Sequence, residues 1–181
     1  MFILLTFGIS LLIFLNLNFI IFKSCVIFMG SKNYETKRKA QMMLVNGGEK
    51  YLAYMLSEFD KCKNGTELKR LMAHNIGLIS FDAYYLVIIK SLKKSRNEFE
   101  DAIYFHCDSA IENFSLSQIN EINNYINTYY QITPDNEKKC FSDFKELIDE
   151  RYQVIKGVGV QGLQKPQNDE TAPDDGKPGA R

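Results

Sequence analysis

His106, Cys107 and Asp108 set an imidazole, a thiol and a carboxylate side by side, the most reactive-looking triplet in the chain. Groups of these types suit nucleophilic catalysis, in which a base takes the thiol proton and a third group orients the base. Their spacing argues against that use. Consecutive residues of a helix project about 100° apart, so three helical neighbours cannot converge on one substrate atom. His74 is the only other histidine, and a base for Cys107 would have to be that residue brought across the fold. Cys62, His74, Cys107 and Cys140 have the right types for zinc, yet no two of them have the close spacing of a zinc module. With Cys25 added, the four cysteines are expected as free, buried thiols. No catalytic residue, metal or cofactor is expected.

Two basic clusters, Lys69 with Arg70 and Lys90 with Lys93, Lys94 and Arg96, raise nucleic-acid binding as an alternative. The chain is balanced, however, at 22 basic and 22 acidic residues, and Glu98, Glu100 and Asp101 follow the second cluster directly. A nucleic-acid surface carries a basic excess, so solvated helix faces are the expected role and nucleic acid is not the expected partner. Tyr84 with Tyr85, and Tyr129 with Tyr130, are candidates for an interaction surface, because Tyr is enriched where proteins meet. One member of each pair is expected in the core. Asn64-Gly65-Thr66 and Asn113-Phe114-Ser115 fit a glycosylation sequon, but each falls where a turn and a helix cap are already needed.

The elements that position these residues divide the chain in three. Residues 2–22, FILLTFGISLLIFLNLNFIIF, contain no ionisable side chain. A helix of that length reaches roughly 30 Å, enough to cross a bilayer. The run lacks the basic start and small-residue cleavage site of a secretory signal. Lys23, Lys32, Lys37, Arg38 and Lys39 follow it and no basic residue precedes it. Positive residues stay inside, so residues 1–30 are expected as a single-pass anchor with the amino terminus out and the rest cytoplasmic. Met29, opening MGSKNYETKRKA, offers the alternative of a soluble cytosolic helical protein starting there.

Residues 31–156 show caps and apolar stripes at helical spacing, giving an expected all-α bundle of five or six helices. A first helix begins near Tyr34 and is interrupted at Asn46, Gly47 and Gly48, then resumes with Tyr51, Met55 and Phe59 at i, i+4, i+8. Thr66, Ser80, Ser95 and Ser115 are expected caps, the last two with Glu98 and Gln118 as capping boxes. Thr133, Pro134 and Asp135 signal the start of a last helix carrying Phe141, Phe144, Leu147, Ile148 and Tyr152. Residues 157–181 are rich in Gly, Pro and polar side chains and are expected to be flexible.

The function expected from these features is non-enzymatic: a membrane protein whose cytoplasmic helical domain binds a protein partner, as an accessory or protective factor. The alternatives are a small helical enzyme using His106 and Cys107, or the soluble protein starting at Met29 that binds nucleic acid.

Overall fold

Short polar side chains start most of the helices. Asn33 accepts from the Thr36 amide at 3.0 Å and opens α2 (Tyr34–Gly47). Gly48, at φ +57°, then lets α3 (Glu49–Lys61) begin after a single intervening residue. Thr66 Oγ1 accepts from the Lys69 amide and opens α4 (Glu67–Ile79). Ser80 closes α4 and caps α5 (Phe81–Lys94), accepting from the Ala83 amide at 3.3 Å. Ser95 does the same between α5 and α6 (Arg96–Ile103). After a turn and the short α7 (Asp108–Ile111), Ser115 and Gln118 form a complete capping box. That box opens α8 (Leu116–Ile132), and α9 (Lys139–Ile155) follows.

The computed structural model describes residues 17–132 and 139–157. A further helix, α1, covers residues 17–29, so the described residues hold nine helices and no strand. The all-α class expected from the sequence is what the chain adopts. The helix number differs because two expected helices are each divided, at Gly48 and at residues 104–107. The start signal at Thr133, Pro134 and Asp135 lies outside the described residues, as does the expected flexible tail beyond Gly157.

The core centres on α4, which touches α2, α3, α5, α6 and α7. Met72, Ala73 and Ile76 are buried on it, facing the expected stripe Tyr51, Met55 and Phe59 of α3, also buried. Phe99 stacks on Tyr129 and meets Phe141 and Phe144, which ties α6 to α8 and α9. The buried apolar stripes of these helices thus share one interior.

The membrane placement is overturned. Among the described residues no helix is long and apolar enough to cross a membrane. The single-pass topology, with the amino terminus out and a cytoplasmic domain, is therefore not supported. Residues 2–16 of the apolar run lie outside the described residues; its last residues belong to α1. There Phe22, Cys25, Val26 and Met29 are buried in the common core. Phe22 stacks on Tyr54 with ring centroids 5.4 Å apart, and Lys23 pairs with Glu58 at 2.6 Å. A helix that supplies one face of a bundle core needs apolar residues as a membrane span does, and a length match alone does not separate the two. Met29, considered above as a start, is itself a core residue. If α1 is integral to the fold, Phe22→Ala should cost about 3–5 kcal/mol. Chemical denaturation reads this directly, and an unchanged midpoint would remove α1 from the core.

Candidate functional site

Lys69 is expected on a solvated face, but its side chain is entirely buried. Its ammonium donates to Glu98 Oε2 at 2.6 Å, Asn64 Oδ1 at 2.7 Å and the Cys62 carbonyl at 3.4 Å. It also lies 4.8 Å from the centre of the Phe59 ring. All three ammonium hydrogens have an acceptor, the condition for burying a lysine. Glu98, expected to close a capping box, instead uses its other oxygen for Lys94 at 2.8 Å. Burial pushes the Glu98 carboxyl up, but the bonds from Lys69 and Lys94 outweigh it and hold the group below the usual carboxylate range. Beside this cluster, Asp101 accepts from Arg70 Nε at 2.9 Å and from the Gly65 amide at 2.7 Å. Gly65 stands at φ +77°, which an L side chain rarely adopts. The network is fully engaged with itself and fixes the α3–α4 turn to α6.

His106 and Cys107 of the triplet fall on the turn between α6 and α7, and Asp108 is the first residue of α7. Cys107 is only 1 % exposed, and its Sγ lies 3.4 Å from Ser109 Oγ. It seats over Gly77, where an added Cβ would come within 2.7 Å of the Cys107 Cβ. His106 turns to Asp108 at 3.4 Å. His74 reaches the same turn, but its Nδ1 donates to the Phe105 carbonyl at 3.0 Å. Burial raises the thiols of Cys25 and Cys62, with Glu58 adding to the effect at Cys62. Nucleophilic cysteines have the opposite shift. Among the described residues no group of three or more His, Cys, Asp or Glu side chains is placed to hold a metal ion.

The tyrosine pairs are largely committed inward. Tyr84 is buried and donates to the Ala102 carbonyl at 3.2 Å. Tyr85 donates to Glu121 and packs edge-on against Phe114. Tyr129 donates to the Leu92 carbonyl at 2.7 Å; the Tyr130 side chain is outside the described set. The basic residues after the apolar run also have places in the bundle. Lys37 pairs with Glu67 at 2.7 Å and Lys39 with Glu35 at 3.1 Å. Arg38 has no ion pair among the described residues, and Lys32 is exposed.

Arg38 lines a groove on the surface. With Gln41, Met42, Val45 and Asn46 it forms one face of α2, across from His74, Asn75 and Leu78 of α4. The groove between them has a volume of about 330 Å³, within the range of sites that hold small ligands or single side chains. Met42 is 50 % and Leu78 46 % exposed, large apolar groups left in water. Asn75 is 1 % exposed, and its amide has one partner, the Met29 sulfur at 3.9 Å. A thioether is a weak acceptor, so a buried amide lines the groove with most of its hydrogen-bonding capacity unused. No carboxylate lines this groove. Sequence reasoning missed Asn75; the signal was a lone amide within the apolar stretch Met72, Ala73, Ile76 of one helix face.

No protein-family model, curated protein or solved structure matches the chain. The site is therefore read from its own chemistry.

Glu98→Ala leaves Lys69 buried without its counter-charge and should cost about 3–5 kcal/mol in denaturant unfolding. Combined with Lys69→Met it should cost less than the sum of the single changes. An additive pair would show that the two groups are not coupled. Tyr85 makes a second test. Burial first, then its bond to Glu121, pushes its hydroxyl from 10.0 up to about 12. Its contribution to stability is complete below the unfolded value and fades as pH rises from 10.0 towards about 12. Tyr85→Phe should flatten that alkaline decline; an identical decline in the variant would place its origin elsewhere.

Proposed function

We propose that the chain is a non-enzymatic, all-α domain that binds a protein partner, acting as an accessory or protective factor. The observation that carries this reading is the α2–α4 groove, where exposed Met42 and Leu78 flank a buried and under-used Asn75. Exposed apolar groups set among polar ones are the usual composition of a recognition surface. Methionine suits such a surface because its unbranched, polarisable side chain adapts to different shapes. The remaining polar clusters support the same reading from the other side: Lys69 with Glu98, and Arg70 with Asp101, satisfy each other and leave no free group for chemistry on a substrate. The buried Cys107 thiol, bonded to a hydroxyl, is a core residue.

Photo-crosslinking residues placed at Met42 and, as a distant position, at Leu86 of α5 test the proposal in cells. A single protein captured at one of these positions, and reconstituted with the purified chain as a stoichiometric complex, is the expected result. Leu78→Glu, on the exposed surface, should weaken that complex by about tenfold or more if the groove is used. Capture of no protein from either position would refute the reading.

A further inference from the structure

The partner reading says nothing of what the groove recognises, and its side chains narrow that considerably. Arg38 is a cation without an ion pair among the described residues, and the lining contains no carboxylate to oppose an anion. Lys37, its neighbour in sequence, is already neutralised by Glu67 at 2.7 Å. The groove therefore presents one unmet positive charge, and guanidinium groups match carboxylates through paired N–H donors. Four residues along the helix, Met42 supplies an apolar wall on the same face, with Val45 beside it and Leu78 opposite. Asn75, almost completely buried, faces a thioether on one side and lines the groove on the other. A primary amide offers both a donor and an acceptor, the complement of a peptide unit.

A bare inorganic anion would satisfy Arg38 and leave the apolar walls and Asn75 without a role. An aliphatic molecule would satisfy the walls and leave Arg38 and Asn75 unmatched. A nucleic-acid strand would need a run of cations, and the groove has one arginine. A peptide with an acidic residue next to a large apolar one meets all three requirements together.

We propose that the α2–α4 groove docks an acidic-apolar peptide segment of a partner protein. In it Arg38 takes the Asp or Glu carboxylate, Met42 and Leu78 enclose the neighbouring apolar side chain, and Asn75 pairs with the peptide backbone. This rests on the protein-partner reading and gives that partner a recognisable chemistry.

The test uses the full chain and two synthetic peptides with blocked ends, one alternating Leu with Glu and the other alternating Leu with Lys. Binding is followed by the methyl NMR signals of the methionines. The Glu peptide should shift Met42 and bind about tenfold more tightly than the Lys peptide, the effect of one charge-assisted contact. Arg38→Glu should reverse that preference, and Leu78→Ser should weaken both peptides. Both substitutions are at exposed positions and leave the core intact. Equal affinity for the two peptides, no shift at Met42, or an unchanged preference in Arg38→Glu would each overturn the proposal. Anionic lipid vesicles that shift Met42 where the Glu peptide does not would also overturn it, in favour of a membrane surface. The crosslinking positions separate this from the broader reading. A partner captured from Leu86 and never from Met42 would sink the groove and leave the partner standing. Peptide selectivity with no captured protein at either position would sink the partner and leave the chemistry of the groove intact.

Discussion

The ion pair between Lys69 and Glu98 governs the arrangement of the helices around it. A buried ammonium costs several kcal/mol in lost hydration unless acceptors surround it, and here those acceptors come from separate parts of the chain. Glu98 belongs to α6, Asn64 and the Cys62 carbonyl to the turn after α3, and Lys94 completes Glu98 from the end of α5. None of these elements can shift without uncovering a charge. Apolar contacts tolerate sliding; a lysine with three fixed acceptors does not. The pair thus ties α4, α5, α6 and the turn after α3 to one another.

Much of this fold was legible from residue order. Ser80, Ser95 and Ser115 are caps because short hydroxyl side chains reach the free amides of a first turn, and that is a local property. Tyr51, Met55 and Phe59 are buried together because their spacing leaves them on one face. What could not be read locally is the identity of a partner distant in sequence. Glu98 follows Ser95 at capping-box distance, so its nearer role concealed its pairing with Lys69. Lys69 and Arg70 form a basic doublet in sequence, yet one is enclosed and the other lies over the Tyr104 ring at 3.7 Å. The break between α6 and α7 was hidden for a similar reason: Ile103, Cys107 and Ala110 keep an apolar rhythm across a turn that is not helical. The membrane assignment failed on a different point. It used the length and apolarity of residues 2–22, and neither distinguishes lipid from the interior of a bundle into which Phe22, Cys25 and Met29 fit.

The candidate groove was the least legible part. Its components are ordinary one by one: an arginine, three amides, a methionine, a histidine, a valine and a leucine. Only the closeness of α2 and α4 makes a set of them, and only the enclosure of Asn75 turns a common amide into an unusual one. Met29 contributes from α1 by occupying the back of that amide with a poor acceptor. The helix once assigned to lipid therefore helps to set the polarity of the groove.

The corners at Gly48, Ser80 and Ser95 bear on how such a protein can change over time. Each is a single residue between two helices. An inserted residue at any of them would turn the following helix by about 100° relative to the core and carry its buried face outward. Tolerance to gain and loss of residues is thus withdrawn at these three corners, unlike the longer turn between α3 and α4. Descendants of this chain can diverge at those corners by exchanging one side chain for another, while the spacing across them stays fixed like that of teeth on a gear.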